Sequence, residues 1–167
     1  MEKSGFFNSS DGDRVYDATD FAAYFGSLVS NGIFYTTPTN LQVSPGTGLA
    51  VSVAAGSAWI NGYRYENTDV MNIPLATANG SNPRIDRIVV RLSMINRSIQ
   101  LAAVTGTPAV TPTAPALTRT TDVYELCIAD VLVPAAATSI AANNITDTRL
   151  NTNLCGLVNS LVSAVYE

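Results

Sequence analysis

The sequence of 167 residues contains no histidine. This absence excludes Ser-His-Asp and Cys-His catalytic arrangements, and it also excludes a histidine-ligated metal site. Paired carboxylates could still hydrolyse a glycosidic bond. However, Asp11 and Asp13 lie in a turn rich in Ser, Asn and Gly, where carboxylates bond their own backbone. Asp122 and Glu125 lie at odd spacing on a predicted strand, and hence on opposite faces. We therefore predict that the chain is not an enzyme and has no cofactor.

Charge is also scarce, with 9 Lys and Arg against 13 Asp and Glu and a net charge of −4. Only one residue, Lys3, is a lysine. Nucleic-acid affinity comes largely from clustered Lys and Arg, so we expect no nucleic-acid partner. No apolar run approaches eighteen residues, so we expect no membrane span. Met1 to Asn8 lacks the charged-then-apolar pattern of a signal peptide, and we expect assembly in a cytoplasm.

Cysteine is rare as well, with Cys127 and Cys155 as the two examples. They are too few and too far apart in the sequence for a zinc knuckle or a redox pair, so we predict two buried thiols.

An amphipathic helix is predicted over Asp17 to Asn31. Asp17 can cap its first turn, Asp20 suits the positive end of the helix dipole, and Gly32 can end it in a left-handed conformation. One face carries apolar residues at i, i+3, i+4, i+7 and i+8, which are Phe21, Tyr24, Phe25, Leu28 and Val29. Such a face must be buried. We expect it to dock on the rest of the domain or on a neighbouring subunit.

Two β-hairpins follow. Asn61-Gly62 is the strongest short hairpin pattern, because a primed turn needs positive φ at both central residues. This register pairs Ile60 with Tyr63, Trp59 with Arg64 and Ala58 with Tyr65. Trp59 then lies on one face, with Tyr63 and Tyr65 on the other. Core and interface packing is favoured for these rings, and stacking on a sugar ligand is the alternative.

The second hairpin joins Arg84 to Ile95 with Ser98 to Thr105 around Asn96-Arg97. A two-residue loop would pair Met94 with Ile99, Leu92 with Leu101 and Val90 with Ala103, so that one face is apolar. The opposite face carries Arg87, Val89, Arg91, Ser93, Gln100 and Ala102.

Thr105 to Thr121 is rich in proline and predicts an extended surface loop. Val123 to Val133 is almost continuously apolar and predicts a central strand. Its charges, Glu125 and Asp130, need partners inside the sheet. The nearest candidates for a structural ion-pair cluster are Arg87, Arg91 and Arg149.

A second amphipathic helix is predicted over residues 150–167. Leu150, Leu154, Leu157, Leu161 and Ala164 follow a spacing of four, three, four and three, and Val158 and Val165 widen this face. Three copies meeting around an axis are favoured over a helix that folds back on its own domain.

Five segments, in this order, carry a family resemblance: Ser4 to Phe34, Ala55 to Asn67, Asn82 to Leu92, Asp122 to Pro134 and Ile145 to Arg149. Together they resemble the N-terminal, virion-proximal region of baseplate, tail-fibre and receptor-binding proteins from phages and prophages of Gram-positive bacteria. The resemblance spans nearly the whole chain.

The resemblance implies a helix followed by an antiparallel β-sandwich shoulder that attaches to the baseplate, forms a homotrimer and presents a host-binding module. We therefore expect a mainly β protein with an N-terminal arm and docking helix (1–40), a shoulder domain (41–149) and a C-terminal helix (150–167). The expected function is a homotrimeric connector of the phage tail tip that contacts other baseplate proteins. A carbohydrate-binding module that recognises host cell-wall polysaccharide is the alternative.

Overall fold

The computed structural model describes residues 4–162, which form a mainly β structure with one α-helix. Helix α1 spans Ala18–Leu28 and is capped by Asp17. The Asp17 carboxylate accepts from the backbone N–H groups of Thr19 and Asp20, at 2.8 and 3.2 Å. The Asp20 carboxylate accepts in return from the Asp17 N–H at 3.0 Å. This reciprocal arrangement satisfies amides that have no partner inside the first turn. The sequence predicted the cap by Asp17.

Helix α1 ends earlier than predicted. Val29 is already extended, with φ −137° and ψ 147°, and Gly32 belongs to a strand instead of capping the helix. The Ser30 N–H donates to the carbonyl oxygen of Asn159 at 2.9 Å. A distant segment therefore supplies the hydrogen bonds that would otherwise have continued the helix. Of the helices in residues 4–162, none has the length and apolar character that a membrane span requires.

Residues 4–162 contain ten strands, of which β7 and β9 are the longest. The bounds are β1 Gly32–Ile33, β2 Val43–Pro45, β3 Ala50–Val53, β4 Gly56–Ile60, β5 Tyr63–Asn67, β6 Met71–Pro74, β7 Arg84–Ser93, β8 Ser98–Val104, β9 Val123–Val133 and β10 Ile145–Asp147, with a short 3-10 helix at Ala142–Asn144.

These strands pair antiparallel in three sheets, with orders β1-β4-β5, β10-β9-β7-β8 and β2-β3-β6. One apolar core joins all three sheets. Its fully buried members include Ile33, Val51, Val53, Ile60, Ile88, Val90, Leu126, Ile128 and Val131. The prediction of a mainly β, antiparallel protein with an N-terminal helix is therefore confirmed.

The hairpin of β4 and β5 has the predicted register. Ile60 pairs with Tyr63, and Trp59 pairs with Arg64. Asn61 and Gly62 have φ of 50° and 83°, which is the positive φ that a primed turn requires.

The predicted register of the hairpin of β7 and β8 is wrong by two residues. Leu92 pairs with Ile99, and Val90 pairs with Leu101. The strands stop at Ser93 and Ser98, so the loop has four residues instead of two. An even shift keeps every side chain on its face, because side chains alternate with a period of two. The predicted faces are therefore correct even though the partners are not.

Strand β9 lies between β10 and β7, in the central position that its apolar sequence predicted. The proline-rich segment 105–121 crosses beside it without forming a strand of its own. The Ala109 N–H donates to the Pro83 carbonyl oxygen at 3.0 Å. The backbone N–H of Glu125 donates to the Thr118 carbonyl oxygen, also at 3.0 Å. The loop thus follows the ends of β7 and β9.

The predicted C-terminal helix is wrong for residues 150–162. Asn151 accepts from the N–H groups of Leu154 and Cys155 in a tight turn, and Gly156 then reverses the chain with φ 82°. The chain continues beside β1, where Val158 donates to the Ile33 carbonyl at 3.0 Å. The backbone hydrogen bonds at β1 replace those of a helix. The predicted positions Ala164 and Val165 lie outside the described residues.

Candidate interaction surface

Helix α1 packs on the β4–β5 hairpin through its smallest side chains. Ala22 is its buried residue, and the backbone around Gly62 passes directly beneath it. At the end of the helix, Asn31 Nδ2 donates to Asn61 Oδ1 at 2.9 Å, and the Asn61 N–H donates to Asn31 Oδ1 at 2.7 Å. The helix is therefore fixed to the hairpin turn through Ala22 and through Asn31, which follows the helix.

The rings of α1 consequently point away from the core. We call the exposed rings of Phe6, Phe21, Tyr24 and Phe25 the aromatic surface. Each of these residues is 42–48% exposed. Phe6, from the N-terminal arm, lies 5.5 Å from Phe21 and 5.0 Å from Tyr24 between ring centroids. Tyr24 lies 5.7 Å from Phe25. The sequence predicted burial on this domain or on another subunit, and within the single chain the rings stay half-exposed.

Trp59 connects the aromatic surface to the sheet below it. Its ring meets Phe25 edge-on at 5.8 Å and Phe34 edge-on at 6.3 Å. The indole Nε1 is buried and finds no hydrogen-bond partner within residues 4–162. Trp59 is therefore half-buried and packs between Phe25 and Phe34 beneath the aromatic surface.

The two tyrosines of the hairpin lie on the other side of the sheet. Tyr65 belongs to the core, and burial raises the pKa of its hydroxyl above 10.0. Tyr63 is half-buried and lines an open cleft of about 520 Å³ with Arg64 and Arg97. Trp59, Tyr63 and Tyr65 therefore do not form one aromatic platform. Tyr63 alone faces a cavity large enough for a small ligand.

The charges of β9 find arginine partners on β7. Arg87 Nε lies 3.0 Å from Asp130 Oδ1, and Arg91 Nη2 lies 2.6 Å from Glu125 Oε1. Glu125 is buried, and its second oxygen accepts from the Thr118 N–H at 2.7 Å. Both pairs lie within the sheet and have no contact with the aromatic surface. They fix β7, β9 and the proline-rich loop to one another.

Arg149 has different partners from these two arginines. Its guanidinium bonds both carboxylate oxygens of Asp147, and Nη1 donates to the carbonyl oxygens of Pro38 and Asn40 at 2.9 and 2.7 Å. Burial by itself would raise the pKa of Asp147, but the hydrogen bonds and charge of Arg149 outweigh it and hold that pKa below 3.8. Arg149 thus joins the end of β10 to the segment that precedes β2.

A further ion pair joins Arg84 and Asp86, and it was not predicted from the sequence. Arg84 is 3% exposed and Asp86 is completely buried. Arg84 Nε lies 2.9 Å from Asp86 Oδ1, Arg84 also donates to the Thr77 carbonyl, and Asp86 accepts from the Gly106 N–H at 2.8 Å. The available sequence pattern was the i, i+2 spacing, which places both side chains on one face of β7.

Of the four leucines predicted to line a helical seam, Leu154, Leu157 and Leu161 differ in their surroundings. Leu154 and Leu157 are half-buried, and Leu157 packs against the core beside β1. Leu161 is exposed, and its N–H donates to the Leu28 carbonyl at 2.8 Å. The last described residues therefore lie next to the end of α1, at the border of the aromatic surface.

The aromatic surface is suited to binding an apolar partner surface, since it consists of exposed rings and has no converging reactive groups among the described residues. Within the part of the chain described, no three carboxylate or thiol side chains come together in a way that could hold a metal ion. Comparison of this chain with protein-family models, with curated proteins and with solved structures gives no match.

Proposed function

We propose that this chain is a structural protein of a phage tail tip or baseplate, a homotrimeric connector that attaches or presents a host receptor-binding module. The observation that carries the proposal is the aromatic surface, because the largest exposed apolar patch of a protein, typically about 300–600 Å², often serves in binding. The phage setting comes from the five ordered segments that resemble tail-tip proteins. In this proposal the three sheets form the β-sandwich shoulder, and assembly occurs in the cytoplasm of the bacterial host.

The trimer contacts in this proposal involve the aromatic surface. Residues 150–162 do not form the helical seam that the sequence predicted, so they cannot supply three-fold helix packing. Phe6 and α1 instead present rings at one end of the hairpin β4–β5, where residues 4–162 leave them about half-exposed. Contacts with neighbouring copies or with other baseplate proteins would remove these rings from water.

The size of the aromatic surface supports a contribution to assembly instead of a complete interface. Four rings at just under half exposure leave roughly 350 Å² of apolar area per copy. Burial of that area is worth on the order of 9 kcal/mol, while association costs about 4–15 kcal/mol. The adjoining sheets must therefore add contact area, as a shoulder domain would in a trimer.

The test is the mass of the full chain in solution, measured by light scattering. We expect a trimer for the wild type and a monomer for the double variant Phe21→Asp, Phe25→Asp, because charges would be buried without partners. Ile95→Asp is the matched control, since Ile95 is also exposed but lies at the tip of the β7–β8 hairpin. A monomeric wild type would exclude the trimer. A trimeric double variant would place the contacts away from the aromatic surface.

A carbohydrate-binding module is the second candidate, and the cleft beside Tyr63 favours it. The Tyr63 ring could stack on a sugar. Arg64 and Arg97, which lie beside it, could bind anionic substituents of that sugar. The test is a pulldown of the full chain on host cell walls. Retention that is lost in Tyr63→Ala and kept in Phe21→Asp would support this function. If the wild type is not retained on cell walls, direct carbohydrate binding is excluded and the connector function remains, in which a distal module contacts the host.

A further inference from the structure

The cleft beside Tyr63 is built by three elements that meet near the start of helix α1. Strand β5 supplies Tyr63 and Arg64, and the first turn of α1 supplies Thr19. The β7–β8 hairpin supplies the remaining side. The volume of about 520 Å³ lies within the range of about 300–1,000 Å³ that is typical of small-molecule sites.

The floor of this cleft is apolar. Leu92 is 3% exposed and belongs to the core of the protein. Met94, Ile99 and Tyr63 are half-buried and pack against that core. A small molecule that enters the cleft therefore meets an apolar surface that is in place before it binds. Such a floor suits a ring or another apolar group of a ligand.

The charged side chains that line the cleft are two arginines, Arg64 and Arg97, and no acidic side chain of residues 4–162 lines it. Arg64 forms an ion pair with Glu66 at 2.9 Å, in which both side chains are exposed. The start of α1 adds no free amide at Thr19, because the Thr19 N–H already donates to the Asp17 carboxylate. The positive charge of the cleft therefore comes from its guanidinium groups.

Arg97 differs from the other arginines that the structure describes. The ion pairs within residues 4–162 engage Arg14, Arg64, Arg84, Arg87, Arg91 and Arg149. Arg119 donates to the carbonyl oxygens of Glu125 and Leu154. The guanidinium of Arg97 bonds no acceptor in this part of the chain, so its N–H donors are available to a ligand.

The backbone of Arg97 is also unusual for an arginine. Its φ is 49°, in the left-handed region that glycine or asparagine ordinarily occupies in hairpin loops. The Arg97 N–H closes the loop by donating to the Met94 carbonyl oxygen at 3.3 Å. Glycine would close the same loop with less strain, and within residues 4–162 the guanidinium makes no contact that compensates for the strain. Strained positions of this kind cluster at binding sites.

We propose that this cleft binds a small organic anion, whose carboxylate or phosphate bonds Arg97 and Arg64 and whose ring lies on the apolar floor. A guanidinium is a planar fork that can donate two parallel hydrogen bonds to either kind of anion. The inference rests on the second candidate function, whose cleft it shares, and it makes the negative charge of the ligand the determinant of binding. It does not depend on the trimer.

The experiment titrates the ¹⁵N-labelled full chain near neutral pH with phenyl phosphate and with benzoate. We expect saturable shifts of the amide signals of Thr19, Tyr63, Ser98 and Ile99. The expected Kd is about 1 mM, which is ordinary for a ligand of roughly ten heavy atoms. Benzyl alcohol carries the ring without the charge, and inorganic phosphate carries the charge without the ring. Each should bind about tenfold more weakly than phenyl phosphate.

Arg97→Gln should weaken the binding of phenyl phosphate about tenfold, because charge-assisted hydrogen bonds are lost. Arg14→Gln is the matched control, since Arg14 is also an exposed arginine but does not line the cleft, and it should bind like the wild type. Arg97→Gly separates binding from stability. It should lose binding to the same extent while its thermal midpoint stays equal to that of the wild type or rises, because glycine relieves the positive φ.

Three results would overturn this inference: no saturable binding of either anion up to about 10 mM, equal binding of benzyl alcohol, or unchanged binding in Arg97→Gln. The proposed functions have separate readouts. A trimeric wild type that binds neither anion would overturn the anion site and leave the connector, whereas a monomer that binds phenyl phosphate would do the reverse. Retention on cell walls without binding of either anion would overturn the anion site alone.

Discussion

Gly62 and Ala22 are in direct backbone contact, and this contact determines where helix α1 sits. Gly62 has φ 83° in the turn of the β4–β5 hairpin, and a Cβ placed on it would overlap the carbonyl oxygen of Ala22. A hydrogen atom is all that fits between the turn and the helix. The small faces of both elements therefore meet, and the large rings of α1 are turned outwards.

This contact predicts that Gly62→Ala releases the helix. The substitution adds backbone strain of about 1 kcal/mol at positive φ and forces the overlap with Ala22 as well. We expect a loss of about 2–4 kcal/mol in the free energy of unfolding. The fluorescence of Trp59 should change with it, since Trp59 is the single tryptophan and contacts Phe25.

Gly48→Ala is the matched control for this prediction. Gly48 has φ 70°, but nothing lies within 4 Å of a Cβ placed there. Gly48→Ala should lower the free energy of unfolding by about 1 kcal/mol through backbone strain, and it should leave the fluorescence of Trp59 unchanged. Equal losses at the two glycines would mean that helix docking does not depend on the contact.

Arg149→Ala should destabilise the chain by about 2–4 kcal/mol, because it removes the guanidinium that bonds the carbonyl oxygens of Pro38 and of the buried Asn40. Arg97→Ala, at the tip of the β7–β8 loop, should change the free energy of unfolding by less than about 0.5 kcal/mol. Urea denaturation of both variants provides the comparison. Similar values for the two would show that the contacts of Arg149 contribute little.

The buried pair Arg84–Asp86 should be sensitive to the loss of either partner. Asp86→Ala leaves a buried guanidinium and the Gly106 N–H without their acceptor, and we expect a loss of about 3–5 kcal/mol. Glu66→Ala removes a carboxylate from the surface pair with Arg64, where both side chains are exposed, and should cost less than about 1 kcal/mol. Thermal unfolding followed by circular dichroism would measure both. A mild effect of Asp86→Ala would argue that water replaces the pair.

The pairing of Asp147 with Arg149 predicts a specific pH dependence. The folded-state pKa of Asp147 is lowered, so its stabilisation is present above the unfolded-state pKa of about 4 and is lost as pH falls through the lower folded-state value. The difference in unfolding free energy between wild type and Asp147→Asn should therefore shrink below about pH 4.

Denaturation series from pH 6 down to about pH 2 would measure this difference. Asp69→Asn is the control, because Asp69 is an exposed carboxylate with no ion pair inside residues 4–162. A constant difference between wild type and Asp147→Asn across this range would contradict the pairing.

Some of the fold could be read from short stretches of sequence. Asp17 and Asp20 determined the start of α1, since a capping box uses only neighbouring groups. Asn61-Gly62 determined a turn and its register through their tolerance of positive φ. The alternation in β7 and β8 determined the faces, but their partners were missed by two residues because apolar pairs look alike after an even shift.

The candidate site could be predicted only in part, for a related reason. The helical spacing of Phe21, Tyr24 and Phe25 identified the apolar face of α1, but not whether its own domain covers it. That depended on the contact between Ala22 and Gly62, which are forty residues apart in the sequence. Periodicity shows that a face is apolar and carries no information about what lies opposite.

The sequence by itself determined the local features of this protein: its capped helix, its hairpin turn, its strand faces and the absence of histidine chemistry. The tertiary structure alone decided that Arg149 bonds the carbonyl oxygens of Pro38 and Asn40, that the Cys127 N–H bonds the Leu154 carbonyl oxygen, and that residues 150–162 follow β1 instead of forming a helix. Local features depend on groups a few residues apart, whose geometry the backbone fixes. The tertiary contacts depend on which distant donors and acceptors remain available once the sheets have formed. A local sequence pattern contains no information about those distant groups.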